Sequence, residues 1–182
     1  MTPADRGRFP ATCVTLKDGR AGTLRFLRAD DGERLGDFYE GLDAEAGRFY
    51  WPHALDREHA RANASRADSP VEVVLVLETP TGAIGGYAWY RWRDADAPSS
   101  GFGICIAVDY QSCGAGRVLM ERLLEIAKEV GPPRMCLTCQ HANFRAVELY
   151  QKLGFRVTRE GLLGGRRQWP PEPQYWLEKA VR

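Results

Sequence analysis

Polar and apolar positions along this chain keep two rhythms, and their order predicts the elements. A period of two runs through 13–27 ("CVTLKDGRAGTLRFL"), broken at Asp18-Gly19, and reads as a hairpin. "DDGERLGDFYEGL" then repeats at helical spacing through Leu35, Phe38, Tyr39 and Leu42, and "DREHARANASRA" reads as a second, more polar helix. Between them "AGRFYWPHAL" is expected to be a loop holding Phe49, Tyr50, Trp51 and His53. Strand composition returns at 71–78 and 83–93, on either side of the turn "TPTG", the second run carrying Tyr87, Trp89, Tyr90 and Trp92. After a polar loop, "FGICIAV" (102–108) is apolar almost without interruption and so predicts a central strand covered on both faces. A glycine turn, a helix over about 114–130, the breaker "GPP" and the buried strand "RMCLTC" come next. A helix over about 143–153, the strand "FRVTRE", the loop "GLLGGRRQWPPEP" and the strand "QYWLEKA" complete the order. That order predicts an α/β or α+β fold with helices packed on a mixed sheet.

Composition narrows the class. At 182 residues one domain over 1–182 is expected, with 1–20 as an N-terminal extension or hairpin strand. The 25 Lys plus Arg balance 24 Asp plus Glu, and no basic run stands out, so nothing argues for nucleic acid or an anionic membrane. No stretch nears the roughly 20 apolar residues of a membrane helix, and "MTPADRGRFPATC" lacks the apolar centre of a signal peptide, so the expected location is the cytoplasm. The five cysteines are odd in number and scattered, which suits a reducing compartment. Cys136 and Cys139 have C-x-x-C spacing, but in a strand a separation of three sends them to opposite faces, against a metal or redox pair.

Chemistry concentrates in "AVDYQSCGAGRVLMERLLEIAKEV" (107–130). Arg117 falls in the first turn of a helix, where the dipole is already positive, so an anion is expected to join it. Gly114 and Gly116 offer main-chain N–H groups with no Cβ in the way, as a phosphate needs. The spacing is neither that of a Walker loop nor a G-x-G-x-x-G fingerprint, since the third glycine is missing. Glycines serving only close strand–helix packing would look the same at this point. In "NFRAVELYQKLGF", Asn143 suits an N-cap and Gly154 the left-handed position past the C-terminus, with Phe155 folding back. Ala146, Val147, Tyr150 and Leu153 share the inner face, so the Tyr150 hydroxyl either bonds within the core or faces a site.

Together the two segments resemble the GNAT superfamily of N-acetyltransferases, whose mark is Q/R-x-x-G-x-G/A after a central strand and N-x-x-A-x-x-x-Y-x-x-x-G-F about 30 residues later. Here these are Gln111, Gly114 and Gly116, then Asn143, Ala146, Tyr150, Gly154 and Phe155. The resemblance spans roughly 21–179 and implies a mixed, mostly antiparallel central sheet, helices on both faces and a splayed parallel pair at a coenzyme A cleft. It implies acetyl-CoA as cofactor. Gln111, Cys113, Gly114, Ala115, Gly116 and Arg117 would cradle its pyrophosphate, Ile106 and Val108 would offer main-chain bonds to its arm, and Asn143 would contact that arm. Tyr150 is similar to the residue that protonates the departing thiolate, a task suited to a phenol. The motif does not fix the base; Glu78, Asp109, His53 and His141 are the candidates, with Glu78 and His141 taken forward beside Tyr150. Tyr50, Trp51, His53, Arg166 and Arg167 are expected on the acceptor side. The implied activity is acetyl transfer to a primary amine of a small molecule or peptide, with room for a homodimer. The competing expectation is a domain that binds acyl-CoA without turnover, as a sensor or an assembly piece.

Overall fold

The computed structural model describes residues 3–50, 52–163 and 170–182. Eight strands form one sheet: β1 (Thr12–Thr15), β2 (Ala21–Phe26), β3 (Glu72–Glu78), β4 (Ile84–Arg91), β5 (Ser100–Ile106), β6 (Arg134–Gln140), β7 (Arg156–Leu163) and β8 (Glu172–Ala180), in the order β1-β2-β3-β4-β5-β6-β8-β7. The helices are α1 (Pro3–Gly7), α2 (Gly32–Glu40), α3 (Ala44–Arg48), α4 (Arg57–Ser65), α5 (Ala115–Ala127) and α6 (Phe144–Lys152). Every neighbouring pair is antiparallel except β5 and β6. Those two meet only at Ser100–Met135 and Gly101–Cys136 and then part.

The continuous apolar runs exist because each central strand serves two cores. Val73, Leu75 and Leu77 of β3 pack with α5 residues such as Leu119 and Leu123, while Val74 and Val76 pack with Leu35, Phe38 and Tyr39 of α2. β4 divides the same way, Ala88 and Tyr90 to one side, Tyr87 and Trp89 to the other. The expected helices on both faces of a mostly antiparallel sheet are therefore borne out. α4, polar in sequence, is held by an N-cap in which Asp56 accepts from the His59 N–H at 2.8 Å. Arg57 ties it to Asp37 and Glu40 of α2.

Several boundaries moved. The strand expected to reach Val108 stops at Ile106; 108–110 form a 3-10 turn, the Val108 carbonyl accepts from Gln111 N–H at 3.1 Å, and its side chain is 43% exposed. The loop around Tyr50 begins with a helical turn, α3, and the last hairpin extends further into the predicted loop at both ends. α6 closes with the Phe155 N–H on the Tyr150 carbonyl and the Gly154 N–H on that of Gln151, both 2.9 Å, Gly154 standing at φ +86°. No helix among the described residues is long and apolar enough to cross a membrane.

Candidate active site

Where β5 and β6 separate, a cleft of about 840 Å³ opens through the middle of the sheet. Its ends differ in chemistry.

One end is the glycine turn. Ser112 (φ +61°) and Gly114 (φ +92°) take left-handed conformations that swing the chain from the 3-10 turn into α5. The Cys113 thiol points into the core, donating to the Tyr110 carbonyl at 2.9 Å, and Ala115 is buried beside it. Gln111, Gly114, Gly116 and Arg117 line the cleft, whereas the Cys113 and Ala115 side chains are turned to the core and leave only their main chain to the turn. A Cβ built on Gly116 would meet Leu149 Cδ2 at 3.5 Å and Ile106 Cγ1 at 3.8 Å, ordinary contacts, so the glycine is not required for packing. The anion expected beside Arg117 is, within the chain, Glu121 at 3.3 Å, an exposed pair one turn along the helix and worth about 0.3–0.5 kcal/mol. So weak a partner leaves the guanidinium available. Lys17, whose main-chain N–H donates to the Cys113 carbonyl at 2.9 Å, brings a second cation to the same rim.

The floor holds Tyr150, which is 5% exposed and packed edge-on to Phe102 with ring centroids 5.3 Å apart. Its hydroxyl makes no hydrogen bond to a described residue, and it lines the cleft. Burial raises its pKa, which keeps the phenol protonated. Beside it the Ala107 N–H turns to the Gly85 carbonyl at 3.0 Å, so by strand alternation the main-chain groups of Ile106 face the gap. Gln111 Nε2 reaches the Ile106 carbonyl at 3.4 Å. Asn143 heads α6 and lines the cleft, its side chain making no capping bond.

The other end is lined by Asp43, Phe49, Tyr50, Gln140, Leu163 and Gln174. Tyr50 is fixed from behind: it accepts from Trp89 Nε1 at 2.8 Å and donates to His53 Nε2 at 3.0 Å. His53 Nδ1 lies 2.7 Å from the Ala54 carbonyl and so carries the proton, which leaves Nε2 to accept. Gln140 and Gln174 are partners across β6 and β8, 3% and 1% exposed. Gln140 Nε2 donates to the Arg48 carbonyl at 3.3 Å. Gln174 Nε2 is buried with no partner among the described residues, a cost of about 1–3 kcal/mol.

Three sequence candidates sit elsewhere. Glu78 is bonded to Arg25, which also grips Asp31 at 2.6 and 2.9 Å, and does not line the cleft. His141 stacks on Tyr175 with ring centroids 3.7 Å apart and its Nε2 buried away from the cleft. His53 stands behind Tyr50 rather than on the lining. Trp51, Arg166 and Arg167 lie outside the described residues. Asp43, Lys17, Gln140 and Gln174 were missed; only the register of the last strand pair brings the glutamines together, and nothing local marks it.

The model of the acetyltransferase (GNAT) family matches residues 35–155. A mycothiol acetyltransferase of Corynebacterium aurimucosum is 29% identical over 113 residues, which are 58% of this chain and only 37% of that protein, so the chain spans little more than a third of its length. The L-amino acid N-acyltransferase MnaT of Escherichia coli K12 is 26% identical over 141 residues, 76% of this chain and 81% of that one. Among solved structures, the GNAT domain of S. lividans PAT superposes with a TM-score of 0.77 at 21% identity, covering 93% of this chain and 96% of that one. The yncA protein of Salmonella typhimurium, solved with its cofactor acetyl-CoA, gives 0.74 at 22%, covering 88% and 94%. The structural likenesses carry the fold, and the family match covers most of the cleft. This chain belongs to the acetyltransferase (GNAT) family.

Proposed function

We propose that this chain transfers an acetyl group from acetyl-CoA directly to a primary amine of a small molecule or peptide. The observation that carries the reading is the parting of β5 from β6 after two residue pairs, which opens a channel from the glycine turn past Tyr150 to the Gln140–Gln174 pair. The donor set fits acetyl-CoA: helix N-terminal N–H groups, an open Gly116 and the cations Lys17 and Arg117 at one end, strand main-chain groups at Ile106 beyond. When bound, acetyl-CoA supplies an activated thioester and a thiol leaving group.

The chain's own residues then have separable tasks. Gln111, Gly114, Gly116 and Arg117 hold phosphate oxygens, Asn143 orients the arm, and Ile106 pairs with it. Tyr150, kept neutral by burial, holds a proton on its hydroxyl for the departing sulfur. Asp43 is a carboxylate on the acceptor side of the lining, suited to draw in an ammonium ion. The apolar wall of Phe49, Tyr50 and Leu163 faces the rest of the acceptor. We take residues 1–182 as one such domain working in the cytoplasm, where the five free cysteines stay reduced. A peptide or small-molecule amine as acceptor agrees with relatives named for amino acid and ribosomal protein alanine acylation.

The test is thiol release from acetyl-CoA across a panel of amines, with acetyl-CoA affinity measured separately by calorimetry. Amine-dependent thiol release is expected. Binding with no release on any amine would replace the enzyme by a sensor.

A further inference from the structure

Gln174 is a polar side chain buried to 1% exposure, it lines the cleft, and its Nε2 finds no partner among the described residues. The contrast with Gln140, its neighbour across the strand pair, is instructive: there the amide is engaged, donating to the Arg48 carbonyl at 3.3 Å, which ties β6 to the end of α3. Buried amide N–H groups are almost always matched within a folded chain, so one left open on the wall of a ligand channel marks where a ligand atom completes the structure. What it lacks is a hydrogen-bond acceptor. An amine nucleophile cannot supply one while it is cationic, and Gln174 stands at the end of the cleft away from the glycine turn, which points to an oxygen elsewhere on the acceptor rather than on acetyl-CoA. Around it, the lining offers the Asp43 carboxylate and the apolar surfaces of Phe49, Tyr50 and Leu163.

We propose that Gln174 is an acceptor-binding residue: its Nε2 donates to a carbonyl or carboxylate oxygen carried by the amine substrate, so that the acceptor is an amino acid or an aminoacyl amide rather than a simple alkylamine. This rests on the acetyltransferase reading of the same cleft. A free carboxylate and an amide carbonyl present the same oxygen chemistry to the amide, and the choice between them is left to the probes.

Three probes share a phenyl group and a primary amine and differ only at the oxygen: L-phenylalanine, L-phenylalaninamide and 2-phenylethylamine. Each is assayed by thiol release with the native chain, with Gln174→Met, which keeps length and removes the amide, and with Gln174→Glu, which keeps an acceptor and removes the donor. The native protein should favour at least one oxygen-bearing probe over 2-phenylethylamine by about ten-fold or more in kcat/KM, the scale of one net hydrogen bond. Gln174→Met should erase that gap by lowering the oxygen-bearing probes alone, leaving acetyl-CoA KM and 2-phenylethylamine unchanged and the melting temperature no lower. Gln174→Glu should lose as much, and more with the carboxylate than with the amide. Equal native rates on all three probes, or rejection of all three by a protein that binds acetyl-CoA, overturn the proposal. A Gln174→Met protein unchanged on every probe shows solvent as the partner and overturns it too. Oxygen-bearing probes undiminished in Gln174→Glu, which has no donor, overturn it as well. Failure to bind acetyl-CoA in calorimetry would instead remove the parent reading.

Discussion

Tyr150 carries the sharpest expectation at the level of single residues, because its phenol is buried, unbonded to described residues and next to the gap between the strands. Tyr150→Phe keeps the ring contacts with Phe102 and should lower turnover by about ten- to a thousand-fold with acetyl-CoA affinity little changed. The pH profile sharpens this. Burial raises the phenol's pKa, so the proton-bearing form persists above the range where an ordinary tyrosine ionises, and the native rate should climb with the deprotonation of the acceptor amine without a falling limb near pH ~10. Steady-state rates of both proteins across alkaline pH check it. Gly116 separates ligand from fold: Gly116→Ala meets only ordinary contacts and should melt normally, whereas Gly116→Val should lose acetyl-CoA binding. Titration calorimetry with both variants decides, and undiminished affinity in a folded Gly116→Val protein would show that the glycine turn is only packing. That Tyr150, Gln111 and the two glycines share one cleft could be read ahead because their spacing is local. Glu78, His141 and His53 misled for the opposite reason: a carboxylate or imidazole looks equally reactive until its neighbours are known, and here those neighbours are Arg25, Tyr175 and Tyr50.

Between residues and the whole lie the elements, and the start of α2 shows how a polar cluster can build one. Asp31 is fully buried at its N-terminus, bonded twice to Arg25 of β2 and once to the Arg28 N–H at 2.8 Å, with Arg34 2.5 Å away. Burial opposes its charge, but the hydrogen bonds from Arg25 and the Arg28 N–H outweigh that and hold the carboxyl below the usual range. A depressed carboxylate pKa contributes stability that is full at neutral pH and is lost as pH falls through the folded value. Asp31→Asn leaves Arg25 buried with Glu78 alone as its carboxylate partner, and should cost about 3–5 kcal/mol at neutral pH. The gap between native and variant should narrow as the pH falls below the ordinary carboxylate range, where the native carboxyl takes up its proton. Denaturant titrations at neutral and at acid pH measure it; a gap that widens in acid would mean the ion pair is not what positions α2. Sequence periodicity gave α2 its apolar face but was silent on this cluster, since Arg25 and Asp31 read as surface residues until the sheet and helix are packed.

For the molecule as a whole, the double cover of the sheet was readable in advance from 102–108, because so nearly continuous an apolar run demands cover on both faces. The cleft was not readable from pattern alone: β5 and β6 have ordinary strand composition, and the opening arises from how the two parts of the sheet diverge after Gly101–Cys136. Five strands, β1 to β5, stand on one side of that divide and three, β6, β8 and β7, on the other, so the sheet's own hydrogen bonds join them through two residue pairs. A ligand seated in the gap therefore substitutes for missing strand pairing, and it should tie the two parts together. Acetyl-CoA at a hundred times its dissociation constant should add about 2.7 kcal/mol to stability. More tellingly, amide hydrogen exchange should slow in two patches, at Ile104 and Ile106 of β5 and in the first turn of α5 from Ala115, because those main-chain groups face the gap and the glycine turn. The β2–β3–β4 segment, paired on both sides already, should change little beyond the global shift. Exchange measured by mass spectrometry with and without acetyl-CoA checks it: slowing spread evenly over all strands would mean that binding stabilises the fold without entering the gap, and the divided sheet would then have to be explained without the cofactor.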